Sequence, residues 1–139
     1  MMAAGEKEYI EKLCAQIVDS AFSVHSTLGP GLLENVYGLC LARELSLRSI
    51  PFKREVIMDV EYKGFTFKSA YRLDFLVDDR VIVELKAVEN LLPVHEAQLL
   101  SYLRLTRLPI GLLINFNVTA IKQGIHRLAN FECFPQKNI

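Results

Sequence analysis

Three cysteines, Cys14, Cys40 and Cys133, are scattered through 139 residues with no Cys-x-x-Cys pair and no histidine at ligand spacing. That excludes a disulfide framework and a zinc or iron-sulfur site. His25, His95 and His126 are too dispersed for a histidine metal centre; His95 reads as a helix-start residue. Long apolar runs are missing as well. Ile110-Gly111-Leu112-Leu113-Ile114 falls far short of a membrane span, and the opening Met1-Met2-Ala3-Ala4-Gly5-Glu6-Lys7-Glu8 has no signal-peptide core. A cytosolic protein without membrane contact is expected. Net charge is also absent, since 16 basic residues balance 16 acidic ones. The global positive field of an avid, non-specific nucleic-acid binder is therefore missing. Local groups survive: Arg43, Arg48, Lys53 and Arg54 flank one helix-to-strand passage, and Lys63, Lys68 and Arg72 lie along a hairpin. Most of these read as solvated charge.

At 51% hydrophobic content the chain can bury a sizeable core, and its length suits a single domain over 1-139. No repeat or low-complexity tract interrupts it. Apolar residues recur at helical spacing over 7-27, and the turn Leu28-Gly29-Pro30-Gly31 ends that helix. A second helix over 33-48 is apolar almost all round and is expected to be largely enclosed. Strands follow at 52-62 and 65-77, with a bend or bulge at Ser69-Ala70, and a third begins after Asp78-Asp79-Arg80. A helix over 94-107 is set between Pro93 and Pro109, 110-116 is a continuous apolar strand, and 124-131 adds a last one. The fold class is α/β with a mixed sheet: two helices, an antiparallel three-strand meander, a crossover helix, and a parallel fourth strand.

Charge appears where a core is expected. Val81-Ile82-Val83-Glu84-Leu85-Lys86 reads as a buried strand, in which Glu84 and Lys86, two apart, share a face. Asp74 lies ten residues before Glu84. Parity decides whether they meet. A two-residue turn at Asp78-Asp79 would set Asp74 opposite Val83, whereas the three-residue loop Asp78-Asp79-Arg80 pairs Asp74 with Glu84 on the Lys86 face. An odd or bulged turn is therefore required. Given it, Asp74, Glu84 and the Leu85 carbonyl offer the hard oxygen ligands that Mg²⁺ or Mn²⁺ prefers, and Lys86 could orient an attacking water. The alternative is an ion-paired cluster on a solvated sheet face.

Further polar residues fall near this centre. Glu34 opens the second helix, one turn before Gly38 on a stripe with Leu41 and Leu45, where it could serve a site or merely stabilise the helix end. Gln98 and Tyr102, four apart on the crossover helix, share a face with Val94, Ser101 and Leu105, which suits a cleft or a packed core pair. Arg72, two before Asp74, could hold a phosphate or pair with a site carboxylate.

Gly31-Leu32-Leu33-Glu34-Asn35-Val36-Tyr37 resembles the signature of the Gly-x-x-Glu-x-x-Tyr (GxxExxY) family, small proteins of the PD-(D/E)XK nuclease-like superfamily. The likeness extends through Tyr71-Arg72-Leu73-Asp74, Glu84-Leu85-Lys86-Ala87-Val88-Glu89, His95 to Tyr102, and Ile114-Asn115-Phe116-Asn117. It implies the helix-meander-helix-strand core, metal binding by Asp74 and Glu84 with help from Glu34, and a catalytic Lys86. Gln98 and Tyr102 would match the Gln-x-x-x-Tyr element of RecB-type exonucleases. Leu73 stands where the superfamily's proline would be. The expected function is an Mg²⁺- or Mn²⁺-dependent nuclease acting on DNA or RNA; the alternative is a nuclease-like binding or assembly module, as a homodimer, without turnover.

Overall fold

The computed structural model describes residues 2-134. Helix α1, Glu6–Leu28, presents Ile10, Leu13, Cys14, Ile17, Ala21 and Val24 along one buried stripe, the spacing that its sequence dictates. Helix α2, Glu34–Leu47, follows a short turn. Strands β1, Phe52–Tyr62, β2, Phe65–Val77, and β3, Val81–Lys86, form the meander. Helix α3, Pro93–Thr106, then crosses to β4, Ile110–Asn115, which pairs parallel to β3, and β5, Ile125–Ala129, closes the sheet antiparallel to β4. Spatial order equals chain order, β1-β2-β3-β4-β5. The expected architecture is the observed one, with the last strand shortened by a 3-10 turn over Ile121–Gly124.

Two cores sandwich the sheet. Val81, Val83 and Leu85 join α1 and α2 on one face, while Ile82 joins Leu73, Leu99, Leu103 and Leu113 under α3 on the other. β3 and β4 are buried along almost their whole length because helices cover both faces, so they read as continuous apolar runs. Helix α2 departs from expectation. Only Tyr37, Gly38, Leu41 and Leu45 are buried, while Leu39 and Leu47 are more than half exposed. An apolar outer face does not require a cover.

The predicted bulge is present. Met58 pairs with Tyr71 and Val60 with Phe67, so Lys68, Ser69 and Ala70 oppose Asp59 alone. Ser69 takes a left-handed φ of 53°, and Asp59 accepts its N–H at 2.9 Å. Since β3 pairs with β2 only at Phe75, Leu76 and Val77, the distal part of the β1–β2 hairpin stands as a two-stranded arm. It carries Ile57, Tyr62, Phe65 and Phe67 exposed.

Tyr37 ties the α1–α2 turn to the core. Its ring is fully buried, stacked on Phe116 at 4.6 Å, and its hydroxyl donates to the Gly29 carbonyl at 2.6 Å while accepting the Leu32 N–H at 3.2 Å. Gly31 passes through φ 98°, open to glycine but costly for other residues. Together they fix where α2 begins, and Glu34 is its first residue. Tyr37→Phe keeps the stack and loses both hydroxyl bonds, each worth about 1 kcal/mol. The expected outcome is a melting temperature lower by roughly 6–8 °C, measured by calorimetry.

Candidate functional site

The β2–β3 connection is the three-residue loop 78-80, and the register Val77↔Val81, Leu76↔Ile82, Phe75↔Val83 sets Asp74 opposite Glu84. Asp78 and Asp79 both adopt left-handed φ, near 50°, as the tight reversal demands. Beyond Phe75↔Val83 side chains replace the backbone ladder. The Asp74 N–H donates to Glu84 Oε1 at 3.0 Å, and the Leu85 N–H donates to Asp74 Oδ2 at 2.9 Å. Each carboxylate thus occupies the place of a strand carbonyl. Strict alternation also ends here: Leu73 packs under α3, whereas Phe75, two residues on, packs toward α1 and α2. The irregularity is centred on Asp74, and it departs from the regular strand that a shared Lys86 face assumed.

Glu84 is buried, and its carboxyl is pushed up to about 9, first by burial and then by the charge of Asp74 and a hydrogen bond shared with it. The half-buried Lys86 acts against that rise without cancelling it. Glu34 is raised too. Partial desolvation leads, Asp74 adds to it, and Lys86 and Arg72 oppose it, so all four charges bear on one another. Tyr102 is lifted by burial and then by Glu84 and Asp74, and its ring stacks on Tyr71 at 4.8 Å.

A cavity of about 130 Å³ opens beside Asp74, with Glu34 and Gly38 of α2, Arg54 and Glu55 of β1, and Arg72 on its walls. Of the sequence-expected residues, Glu34, Arg72, Asp74 and Leu85 line it, while Glu84, Lys86 and Tyr102 are joined to these acids electrostatically without lining the cavity. Gln98 is not brought in. It is exposed on α3, with no hydrogen bond among the described residues, because Leu99 and Leu103 form the buried stripe while Val94 and Leu105 face solvent. The α3 face on which Gln98 was expected is thus a solvent face. His95 is a helix-start residue as expected, its Nδ1 accepting the Leu92 N–H at 3.0 Å.

Two wall residues escaped the sequence reading. Arg54↔Phe75 and Val56↔Leu73 leave Glu55 facing Asp74 across the β1–β2 ladder, and Glu55 holds a left-handed φ of 51° that is rare for a non-glycine residue in a strand. Arg54 carries a guanidinium on the same wall. The signal was the β1–β2 register, which the bulge conceals, and a glycine inside α2.

Among the described residues no three His, Cys, Asp or Glu side chains form a ready-made metal cluster. The donor chemistry nonetheless suits a hard divalent cation: Glu84 and Glu34 are raised by burial and then by the charge of Asp74, and positive charge would relieve that repulsion.

The raised carboxyl has a pH consequence for the metal-free protein. A folded-state value near 9 against an ordinary value of 4.5 means that folding takes up a proton at Glu84. Its contribution to stability is complete below about pH 4.5 and is lost as pH rises through about 9. In EDTA, denaturant midpoints of the wild type are expected to fall from pH 5 to pH 9 more steeply than those of Glu84→Gln; parallel profiles would show that Glu84 is not the proton acceptor.

The PD-(D/E)XK nuclease superfamily profile matches residues 11–128. None of the curated proteins matches. Among solved structures the chain is similar to one described as the crystal structure of SSO0001, with a TM-score of 0.53 and 21% identity over 69% of this chain and 50% of that one. This chain thus spans about half the length of that relative, and at such identity the likeness is one of fold. Because the superfamily match runs from within α1 into β5 and takes in the Asp74–Glu84–Lys86 fork, the chain belongs to the PD-(D/E)XK nuclease superfamily.

Proposed function

We propose that the chain is a metal-dependent nuclease, a hydrolase of phosphodiester bonds in nucleic acid, working as one domain in the cytoplasm and belonging to the Gly-x-x-Glu-x-x-Tyr family. The observation that carries the reading is the exchange at the strand fork: Asp74 and Glu84 are held by backbone N–H groups, with Lys86 near enough to offset the raised carboxyl of Glu84. Asp74, Glu84 and the Leu85 carbonyl would hold Mg²⁺ or Mn²⁺, with Glu34 completing the set. The ion would supply a bound water of lowered pKa and positive charge beside the phosphate.

The chain's own residues do the rest. The Lys86 ammonium lies close enough to Glu84 and Glu34 to offset the rise of both carboxyls, beside the region where a nucleophile would stand. In that place it orients the attacking oxygen and stabilises the negative charge that grows on the phosphate. Arg72, on the cavity wall with only a long 3.9 Å contact to Glu55, is free to turn toward a phosphate. Tyr102, stacked on Tyr71, lends an aromatic edge to the substrate groove, with Gln98 one turn earlier at its solvent side.

One observation favours a second reading. The β1–β2 arm exposes Ile57, Tyr62, Phe65 and Phe67, an apolar surface suited to a partner or a second copy of the chain in a binding or assembly module without turnover.

With Mg²⁺ or Mn²⁺, wild-type protein is expected to cleave at least one of single- or double-stranded DNA or RNA, and Asp74→Asn and Lys86→Ala to lower the rate by at least ~100-fold. Mn²⁺ should raise the melting temperature of the wild type and not of Asp74→Asn. Wild-type inactivity on all four substrates, with no metal-dependent shift, would leave the assembly module as the reading.

A further inference from the structure

Arg54 differs from Arg48, Lys53 and Lys68, which carboxylates of the chain hold. Arg48 is held by Asp19 and Glu44, Lys53 by Asp79 at 3.0 Å, and Lys68 by Asp59 at 3.2 Å. Arg54 is half-buried and makes no ion pair and no side-chain hydrogen bond among the described residues. Its Nε is shut off from solvent without a partner. Arg80 has a similarly enclosed Nε, but its guanidinium pairs with Asp78 at 3.3 Å. A partly desolvated cation is normally paired, so an unpaired one on a cavity wall calls for an anion that is not part of the chain.

Its seat is specific. The guanidinium lies over the Phe75 ring, 5.2 Å from the centroid, and presses against α2 at Gly38. A Cβ on Gly38 would come within 2.6 Å of Arg54 Nη2. Glycine is a poor helix former, and its place in mid-helix, on the buried stripe, is explained by the room it leaves. Helix, ring and strand thus hold the planar fork of donors at the cavity mouth, in contact with the compartment that Asp74 and Arg72 also line.

We propose that Arg54, seated by Gly38 and Phe75, is a phosphate-binding residue of this cavity that takes a nucleic-acid phosphate next to the one being cut. The inference rests on the nuclease reading and adds a second phosphate contact to it. A guanidinium matches phosphate oxygens with N–H donors that lie in its plane, and stacking on Phe75 engages its face and not those donors. An internal diester and a terminal monoester both present at least two non-bridging oxygens to such a fork.

The test is fluorescence anisotropy of the full chain in EDTA at low salt, with short single-stranded DNA labelled at its 3′ end and carrying either a 5′-phosphate or a 5′-hydroxyl. Arg54→Gln is expected to weaken binding by roughly tenfold or more and to flatten the salt dependence by about one charge, while Lys53→Gln changes affinity less than about twofold. Arg54→Lys should recover little of the loss. Gly38→Ala should weaken binding as well, with an unchanged or higher melting temperature, which separates a displaced guanidinium from a damaged fold. Loss confined to the 5′-phosphorylated strand assigns a terminal phosphate, and equal loss on both strands an internal one. Wild type that binds while Arg54→Gln and Lys53→Gln behave alike overturns the Arg54 subsite alone. Wild type that binds neither strand overturns the subsite as proposed, while the nuclease reading stands or falls by cleavage and the metal-dependent shift.

Discussion

Everything at the candidate site depends on a substitution of side-chain carboxylates for backbone carbonyls where β2 and β3 part. A sheet can be opened only if the N–H groups freed by the opening find other acceptors, since unpaired buried donors are costly. Glu84 serves the Asp74 N–H and Asp74 serves the Leu85 N–H, so the gap is satisfied by the same two acids that crowd it. The fork is thereby rigid and electrostatically tense at once. Its geometry is set by hydrogen bonds within the chain, while its charge favours a cation.

Glu34 reaches the same cavity by a separate route. Tyr37 buries its ring against Phe116, at the end of β4, and spends its hydroxyl on the turn that precedes α2. Asn115, the last residue of β4, is buried and binds both the N–H and the carbonyl of Val88, just past Lys86. The C-terminal end of β4 therefore steadies two sides of the site, the turn carrying Glu34 and the segment leaving Lys86. The run of Gly31, Glu34 and Tyr37 has a physical content: a left-handed turn, a carboxylate, and the phenol that binds the turn to the core.

What was legible in the sequence is what period and parity control. Alternation at β3, the apolar stripe of α1 and the odd count of the 78-80 loop follow from local rules, and the loop count sufficed to set Asp74 against Glu84. Residues whose position depends on a neighbour's register were not legible. Glu55 faces Asp74 only because of the β1–β2 pairing on the near side of the Asp59 bulge, and Arg54 meets Gly38 only because α2 crosses β1 there. Gln98 shows the converse: the face shared by Val94, Gln98 and Tyr102 carries apolar residues, but the helix buries the adjacent stripe of Leu99 and Leu103, which leaves Gln98 exposed. Helix α2 was read as enclosed because apolar composition marks what can be buried, not what is.

The charge balance of the cavity bears on how a neutral protein could engage a polyanion. Glu34, Glu55 and Asp74 stand on walls that offer Arg54 and Arg72 in return, so the cavity itself is short of positive charge. On the nuclease reading, affinity for the phosphate to be cut has to arrive with the cation, whereas Arg54 provides a contact independent of it. Such a division separates holding the strand from activating it. The cation then changes the site more than it changes the rest of the surface, because Lys53, Lys68 and Arg48 are already committed to carboxylates of the chain. The absence of net charge, which argues against indiscriminate binding, is thus compatible with a site whose attraction for phosphate is local, a cation serving the phosphate to be cut and Arg54 its neighbour.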